Sequence, residues 1–167
     1  MTRIAVIDHG AGNLVSMEQG LVRVGAVPER ITGATDLDAF DGVVLPGVGA
    51  TGAAMRTIRR SGLDIALVGH RRPMLAVCVG MQLLFEWSAE DDTRCLGLME
   101  GTVEHLDASP LPHMGWNDVT GRDPLLGEDG SEPYYFVHSF APRPARDLVV
   151  GTTRHRDDGI ASVVRPG

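Results

Sequence analysis

Cysteine and basic residues are both scarce in this chain of 167 residues. The two cysteines, Cys78 and Cys95, are too few for a disulfide framework, and their spacing matches no zinc motif. We therefore expect a reducing, cytoplasmic location and no metal site. Lysine and arginine number 15 against 22 acidic residues, for a net charge of −7. This balance disfavours nucleic acid as a partner, because no basic stripe is available to neutralise phosphates.

Long apolar runs are missing as well. None approaches the roughly 18 residues that a membrane-spanning helix needs. The segment from Met1 to Asp8 has neither the basic leader nor the cleavage site of a signal peptide. We expect no membrane association. The apolar residues, 43% of the chain, suffice for one hydrophobic core, so a single domain over residues 1–167 is predicted.

Short β-branched runs alternate with helical patterns in the first half of the chain. The patterns predict strands at 4–8, 42–45 and 74–77 and helices at 14–24, 53–58 and 63–68. Strands that are apolar on both faces and alternate with helices indicate a parallel sheet covered on both sides. After about Gly97, strand-like runs at 103–106, 134–140, 147–152 and 160–164 follow one another without helices. This half is predicted to be antiparallel.

The most informative segment is the predicted strand that ends at Cys78. Gly80 follows two residues later, and a helical apolar pattern then begins. A strand, a sharp turn with the reactive side chain and a helix form the layout of a nucleophile elbow. The helix N-terminus favours the thiolate, and the backbone N–H of Val79 points toward a developing oxyanion. The alternative is a buried cysteine that closes a core strand.

Several segments together resemble one family. They are Cys78-Val79-Gly80-Met81-Gln82, Pro46-Gly47-Val48-Gly49, Pro112-His113-Met114-Gly115-Trp116-Asn117 and Tyr135-Phe136-Val137-His138-Ser139. In this order they resemble the class I glutamine amidotransferases, and more narrowly the glutaminase subunits of imidazole glycerol phosphate synthase. The resemblance runs almost from end to end. It implies a flavodoxin-like three-layer α/β domain with a mostly parallel central sheet and an antiparallel C-terminal part.

The resemblance also implies roles for individual residues. Cys78 matches the nucleophile that attacks the glutamine amide, and the backbone N–H groups of Val79 and Gly49 match the oxyanion donors. The positions that match the glutamine pocket are Gly47, Val48, Gln82, Glu90, Tyr135 and Ser139. The alternatives are an exposed helix residue for Gln82 and a solvated loop charge for Glu90. No cofactor is implied.

A partner surface is implied too. The family delivers ammonia through the protein interior to a cyclase subunit, which keeps the ammonia from being protonated in water. Asn13 and the segment His113, Met114, Gly115, Trp116 and Asn117 match the face that meets the cyclase. We read this segment as a loop. It suits an interface, because Met, Trp and Asn combine apolar area with hydrogen bonding. Core filling by Met114 and Trp116 is the alternative.

The match fails at one important place. The family carries its catalytic base in a His-Pro-Glu segment on a late strand, and this tripeptide occurs nowhere in the chain. We expect the chain to be C-terminally incomplete and impaired as a glutaminase. His155 is a candidate substitute base, with a solvated turn from Arg154 to Gly159 as the alternative. His113 and His138 are further candidates, although we expect His138 to be a hydrogen-bonded strand residue.

Two other functions stay open. One is a non-catalytic scaffold or binding subunit of the same synthase. The other is a paralogous amidotransferase that serves a different acceptor, such as a surface sugar.

Overall fold

The computed structural model describes residues 1–166. Gly167, the last residue of the predicted domain, lies outside the described residues, and the single domain stays a prediction. Strands and helices alternate in the first half, in the order β1 (Arg3–Ile7), α1 (Leu14–Arg23), β2 (Val27–Ile31), β3 (Gly42–Leu45), α2 (Thr51–Arg60), α3 (Leu63–Gly69), β4 (Met74–Ala76) and α4 (Val79–Gln82).

These strands form one parallel sheet in the order β2-β1-β3-β4. The central strands β1 and β3 are buried on both faces, as their uninterrupted apolar runs predict. Ile58, Leu63 and Leu67 from α2 and α3 pack into the same core cluster as Ile7 and Leu45. Because the strands are parallel, their carboxyl ends lie at one edge of the sheet, where β3 leads into Pro46 and β4 leads into Cys78.

The second half consists of strands joined by loops and 3₁₀ turns. The strands are β5 (Trp87–Ser88), β6 (Thr93–Arg94), β7 (Gly101–His105), β8 (His113–Gly121), β9 (Ser131–His138), β10 (Phe140–Pro144), β11 (Val149–His155) and β12 (Asp158–Val164). They form two four-stranded sheets, β10-β7-β5-β6 and β12-β11-β8-β9, within residues 87–164. Every pair except β5 with β7 is antiparallel. The predicted α/β class with an antiparallel second half is confirmed.

Several elements differ from the sequence prediction. Strand β2 was not predicted, because this edge strand reads Val-Pro-Glu-Arg-Ile and carries little apolar pattern. The predicted strand 134–140 is two strands, which separate at Ser139. The helix after Cys78 ends at Gln82, so most of the following apolar run is loop.

The loop prediction for residues 113–117 is wrong. These residues form the first part of β8 and pair in register with β9, so that His113 lies opposite His138 and Trp116 opposite Tyr135. Exposure alternates along the segment, with His113 buried and Met114 and Trp116 exposed. This period of two is the pattern of a strand with one covered face.

Candidate active site

Cys78 occupies a strained turn between β4 and α4. Its φ of 55° and ψ of −118° lie in a region that residues other than glycine rarely adopt. Hydrogen bonds hold the turn, from the Gly80 N–H to the Val77 carbonyl at 2.9 Å and from the Gln82 N–H to the Cys78 carbonyl at 3.1 Å. A Cβ on Gly80 would lie 1.9 Å from the carbonyl oxygen of Leu45. Only glycine therefore lets α4 pack this closely on the end of β3.

The thiol of Cys78 is accessible and not ionised by its surroundings. The residue is exposed at the surface, but partial burial of its thiol group raises the thiol pKa. The backbone N–H of Val79, which donates to the sulfur, lowers the pKa, and the Glu90 carboxylate raises it. The net direction is upward. The sulfur thus has the oriented N–H that an elbow provides, and no cation among residues 1–166 shifts its pKa in favour of the thiolate.

The glycine-rich segment after β3 lies against the elbow. A Cβ on Gly47 would lie 2.7 Å from the backbone nitrogen of Gly80, so the two segments touch through their backbones. Gly49 has a φ of +86°, and Val48 between them is half exposed. The segment therefore runs directly beside the turn that carries Cys78.

His9 holds the start of this segment and was not predicted as a site residue. It is buried, and its Nε2 lies 2.8 Å from the carbonyl oxygen of Pro46. A carbonyl only accepts hydrogen bonds, so Nε2 carries the proton. Within residues 1–166 the buried Nδ1 of His9 has no hydrogen-bond partner. The Asp8-His9-Gly10 turn gave no sequence signal for this role beyond its place at the carboxyl end of β1.

Glu90 is held in place by helix α2. Its Oε2 accepts a hydrogen bond from the Thr51 N–H at 2.8 Å, and its carbonyl accepts one from the Thr51 hydroxyl at 3.0 Å. A carboxylate at a helix N-terminus is stabilised by the helix dipole. The charge is thus anchored beside Cys78, whose pKa it raises, and is not a freely solvated loop charge.

Gln82 is buried one turn after Cys78. Its side-chain Nε2 donates to the carbonyl oxygen of Phe140 at 3.2 Å, which links α4 to β10. The alternative of an exposed helix residue is wrong. Because Nε2 is engaged, the Oε1 atom is oriented as the remaining acceptor of this side chain.

Tyr135 lies on the outer side of the β8–β9 ribbon. Its ring meets that of Trp116 edge-on, with centroids 5.7 Å apart. Tyr135, Trp116, Met114 and Val137 are each more than half exposed, and the strand register places them on one side. We call these four residues the outer apolar face. Ser139 lies at the junction of β9 and β10, where its carbonyl accepts from the Leu106 N–H at 2.9 Å.

The three histidines considered as bases are engaged elsewhere. His113 and His138 bond to each other, with 2.9 Å between Nδ1 of His113 and Nε2 of His138, and His138 Nδ1 lies 2.9 Å from the Phe140 carbonyl. His155 ends β11 before the turn at Arg156 and Asp157, stacks on His113 and contacts the Pro110 carbonyl. Burial lowers the pKa of His138 and lowers that of His113 to about 4.

The described residues hold no group of three or more His, Cys, Asp or Glu side chains that could bind a metal. None of the helices described is long and apolar enough to cross a membrane.

The family model for class I glutamine amidotransferases matches residues 5–166. The chain belongs to this family.

Several relatives are subunits of imidazole glycerol phosphate synthase. The imidazole glycerol phosphate synthase subunit HisH of Synechococcus sp. strain CC9902 is 41% identical over 159 residues, which cover 90% of this chain and 75% of the relative. HisH of Microcystis aeruginosa is 40% identical and the match covers 98% and 82% of the two chains. HisH of Cutibacterium acnes is 44% identical, with 83% and 70% covered. This amidotransferase thus spans about three quarters of the length of these relatives.

Solved structures agree on the fold. A crystal structure of a glutamine amidotransferase superposes with a TM-score of 0.74 at 16% identity and covers 95% of this chain and 88% of its own. The structure of PurLQS from Thermotoga maritima gives 0.65 at 17% identity, with 97% and 77% covered. At these identities the likeness concerns the fold alone.

Proposed function

We propose that this amidotransferase is the glutaminase subunit of an imidazole glycerol phosphate synthase. It hydrolyses glutamine to glutamate and ammonia, and the ammonia passes to a cyclase subunit that forms imidazole glycerol phosphate and AICAR in histidine biosynthesis. The observation that carries the proposal is Cys78 on its strained elbow, with the Val79 N–H directed at the sulfur. The names of its relatives give the synthase.

The proposed chemistry proceeds in two steps. The Cys78 sulfur attacks the side-chain amide carbon of glutamine, the C–N bond breaks, and ammonia leaves with the proton of the thiol. Water then attacks the thioester, and glutamate and the free thiol result. The N–H groups of Val79 and Gly49 stabilise the oxyanion in both steps, at the place where the glycine segment lies against the elbow.

Substrate contacts are proposed for the residues around the sulfur. Gly47, whose backbone meets that of Gly80, and the next residue Val48 are proposed to form the wall of the pocket on this side. The anchored carboxylate of Glu90 suits the α-ammonium group of glutamine, and the Oε1 of Gln82 is an oriented acceptor. Tyr135 and Ser139 are proposed to complete the pocket from the β9 side.

The cyclase is proposed to dock through the outer apolar face, together with Asn13. His113, which the sequence placed on this surface, is buried and lies with Asn117 on the inner side of the ribbon. Met114 and Trp116 combine large exposed apolar area with hydrogen-bonding neighbours, as interface cores do. A patch of this kind on a single chain marks an interaction site. The assembly is a cytoplasmic heterodimer in this proposal, with lyase chemistry at the cyclase.

A low turnover is also proposed. Within residues 1–166, Glu90 is the charged group that acts on the Cys78 thiol, and it opposes ionisation. Among these residues no base is assigned to the thiol proton, and a missing general base typically lowers the rate of each proton transfer by about 10²–10⁴-fold. The same observation supports a second candidate, a non-catalytic subunit that binds the cyclase through the outer apolar face.

Glutamate release with the cyclase partner present tests the proposal. We expect slow release that Cys78→Ser abolishes and that Cys95→Ser, a substitution of a buried cysteine, leaves intact. Release that survives Cys78→Ser would contradict the assignment of the nucleophile. Cyclase binding without any Cys78-dependent release would favour the non-catalytic subunit.

A further inference from the structure

Three polar side chains line up on the inner side of the β8–β9 ribbon. Asn117 and His113 lie on β8, and His138 lies opposite His113 on β9. His113 is 3% exposed, with its ring stacked between Phe136 at 4.8 Å and His155 at 4.4 Å between centroids. We call Asn117, His113 and His138 the histidine chain.

Hydrogen-bond chemistry fixes the direction of this chain. The carbonyl of Phe140 only accepts, so His138 must carry its proton on Nδ1, at 2.9 Å from that oxygen. The neutral ring then accepts at Nε2, so His113 donates from its Nδ1 at 2.9 Å. His113 in turn accepts at Nε2 from the Asn117 amide at 3.0 Å. The second hydrogen of that amide goes to the Arg154 carbonyl at 2.9 Å.

The histidine chain ends at the carbonyl oxygen of Phe140, which also accepts the hydrogen bond of Gln82. Strand β10 is an edge strand of its sheet within the described residues. The Leu106 N–H donates to Ser139, the residue before Phe140, and Phe140 lies in register with His105. Phe140 is therefore in a non-hydrogen-bonded pair, and its carbonyl points away from β7. That oxygen accepts from His138 Nδ1 and from Gln82 Nε2.

We propose that His113 and His138 are positioning residues for glutamine binding, which fix the Phe140 carbonyl and through it the side-chain amide of Gln82. The proposal rests on the proposed function only in assigning Gln82 a contact with glutamine. With Nε2 held by Phe140, the Oε1 of Gln82 stays oriented for a donor of the substrate. Loss of the His138 bond frees the carbonyl and the amide together.

The hydrogen bonds of the histidine chain can form only when both imidazole rings are neutral. A proton on His138 Nε2 would face the Nδ1–H of His113, and a proton on His113 Nε2 would face the Asn117 amide hydrogens. Burial lowers the pKa of His113, and the titratable groups that face it among residues 1–166, His138 from β9 and His155 from β11, lower it further. The surroundings thus favour the neutral state that the hydrogen bonds require.

Imidazole nitrogen NMR tests the hydrogen bonds of the histidine chain without a measurement of enzyme activity. In the ¹⁵N-labelled full chain at pH 7.5, we expect both His113 and His138 as the Nδ1–H tautomer, although free histidine prefers the Nε2–H form. His9, whose Nε2 donates to Pro46, serves as the internal control and should show the opposite tautomer. An Nε2–H tautomer at His113 or His138 would overturn the proposal.

Variants then test the positioning of Gln82. His138→Leu removes the donor to Phe140, whereas His138→Asn keeps an N–H at the place of Nδ1. We expect the Gln82 side-chain amide resonances to shift in His138→Leu and to return toward wild type in His138→Asn. Glutamine affinity, measured by titration, should fall roughly three- to tenfold in the first variant and less in the second. His155→Phe, which keeps a ring against His113 but lies outside the chain, is the matched control.

The readouts separate this proposal from the proposed function. Unchanged Gln82 amide resonances in His138→Leu would overturn the positioning role. If wild type binds no glutamine, the proposed function fails, and the Gln82 resonances still decide whether His138 positions this amide. If His138→Leu does not fold, the His138→Asn comparison and the tautomers decide. Equal glutamine affinity in all variants, with wild type binding, would overturn the substrate part.

Discussion

The elbow around Cys78 and the histidine chain are two polar centres with opposite states. Cys78 is exposed at the surface and has a strained backbone, and partial burial of its thiol, with the Glu90 carboxylate, raises its pKa. His113 is buried, and each ring nitrogen of His113 and His138 has a hydrogen-bond partner. A reactive group must stay accessible and incompletely satisfied, whereas a group that positions another must be fully bonded. The two centres therefore have different proposed roles: Cys78 reacts with the substrate, whereas the histidine chain positions another side chain.

Thiol reactivity should separate the two cysteines most sharply. Cys95 is buried and its pKa is raised to about 11 by burial. We expect iodoacetamide at pH 8 to alkylate Cys78 on the order of 100-fold faster than Cys95. Because the Cys78 pKa is raised, its rate should climb about tenfold for each pH unit between 6 and 8. Peptide mapping by mass spectrometry measures both rates.

Glu90→Gln sharpens this result. The amide keeps an oxygen to accept from Thr51 but removes the charge that raises the Cys78 pKa. Alkylation of Cys78 at pH 7 should become about two- to fivefold faster. Equal alkylation rates of Cys78 and Cys95 in the native protein would contradict the accessibility of the Cys78 thiol.

Gly80→Ala should disrupt the elbow. The added Cβ would lie 1.9 Å from the Leu45 carbonyl oxygen, a backbone atom that cannot move aside. We expect a loss of about 3 kcal/mol in the free energy of unfolding, measured by urea denaturation. Gly20→Ala is the matched control, since it lies in helix α1 with nothing within 4 Å of the new Cβ. It should be neutral or stabilising by up to about 1 kcal/mol.

Acid should weaken the histidine chain. His113 has a folded pKa of about 4, below its ordinary value of about 6.5, so the unfolded chain binds more protons below pH 6.5. The contribution of neutral His113 to the free energy of unfolding is complete above pH 6.5 and is lost as the pH falls toward 4. Between pH 7 and pH 5 we expect a loss of about 2 kcal/mol from this group.

Urea denaturation of wild type and His113→Phe at both pH values isolates the contribution of His113 to the free energy of unfolding. The phenyl ring keeps the stacking but does not titrate, so the difference between the two pH values should shrink by that amount. The same pH difference in both proteins would mean that His113 is not held neutral by the fold.

Asn13 should give the smallest effect. Its side-chain oxygen accepts from the Ser16 N–H at 3.3 Å and caps helix α1. Asn13→Ala should destabilise the chain by about 1 kcal/mol, whereas Asn13→Asp should stay within a few tenths. Thermal unfolding checks both. If cyclase binding weakens in both variants while only the first loses stability, Asn13 has an interface role beyond the cap.

The elbow and the histidine chain also differ in how far the sequence could predict them. The elbow is local: the apolar strand, Cys78 and Gly80 follow one another within a few residues, and Asn13 precedes a regular helical pattern. The glycine segment after β3 was found through the resemblance to the family, which its contiguous Pro-Gly-Val-Gly residues help to carry. These features could be predicted because each depends on neighbours in the chain.

The histidine chain depends on register between distant strands. His113 and His138 meet only because β8 pairs with β9, and the start of β8 has the sequence of a loop. Prolines precede it at 110 and 112, and Gly115 within it has a φ of +136°, so its sequence resembles a turn. The bond from Gln82 to Phe140 spans 58 positions and has no local signal. His9 was missed for the same reason.

Covalent trapping of Cys78 tests the central claim most directly. A diazoketone analogue of glutamine, followed by intact-mass and peptide analysis, should add one label to the chain, at Cys78. Excess glutamine should protect against it, Cys78→Ser should abolish it, and Cys95→Ser should leave it unchanged. Labelling at another residue, or labelling of Cys78 that glutamine does not slow, would contradict the account of this elbow as a glutamine-attacking nucleophile.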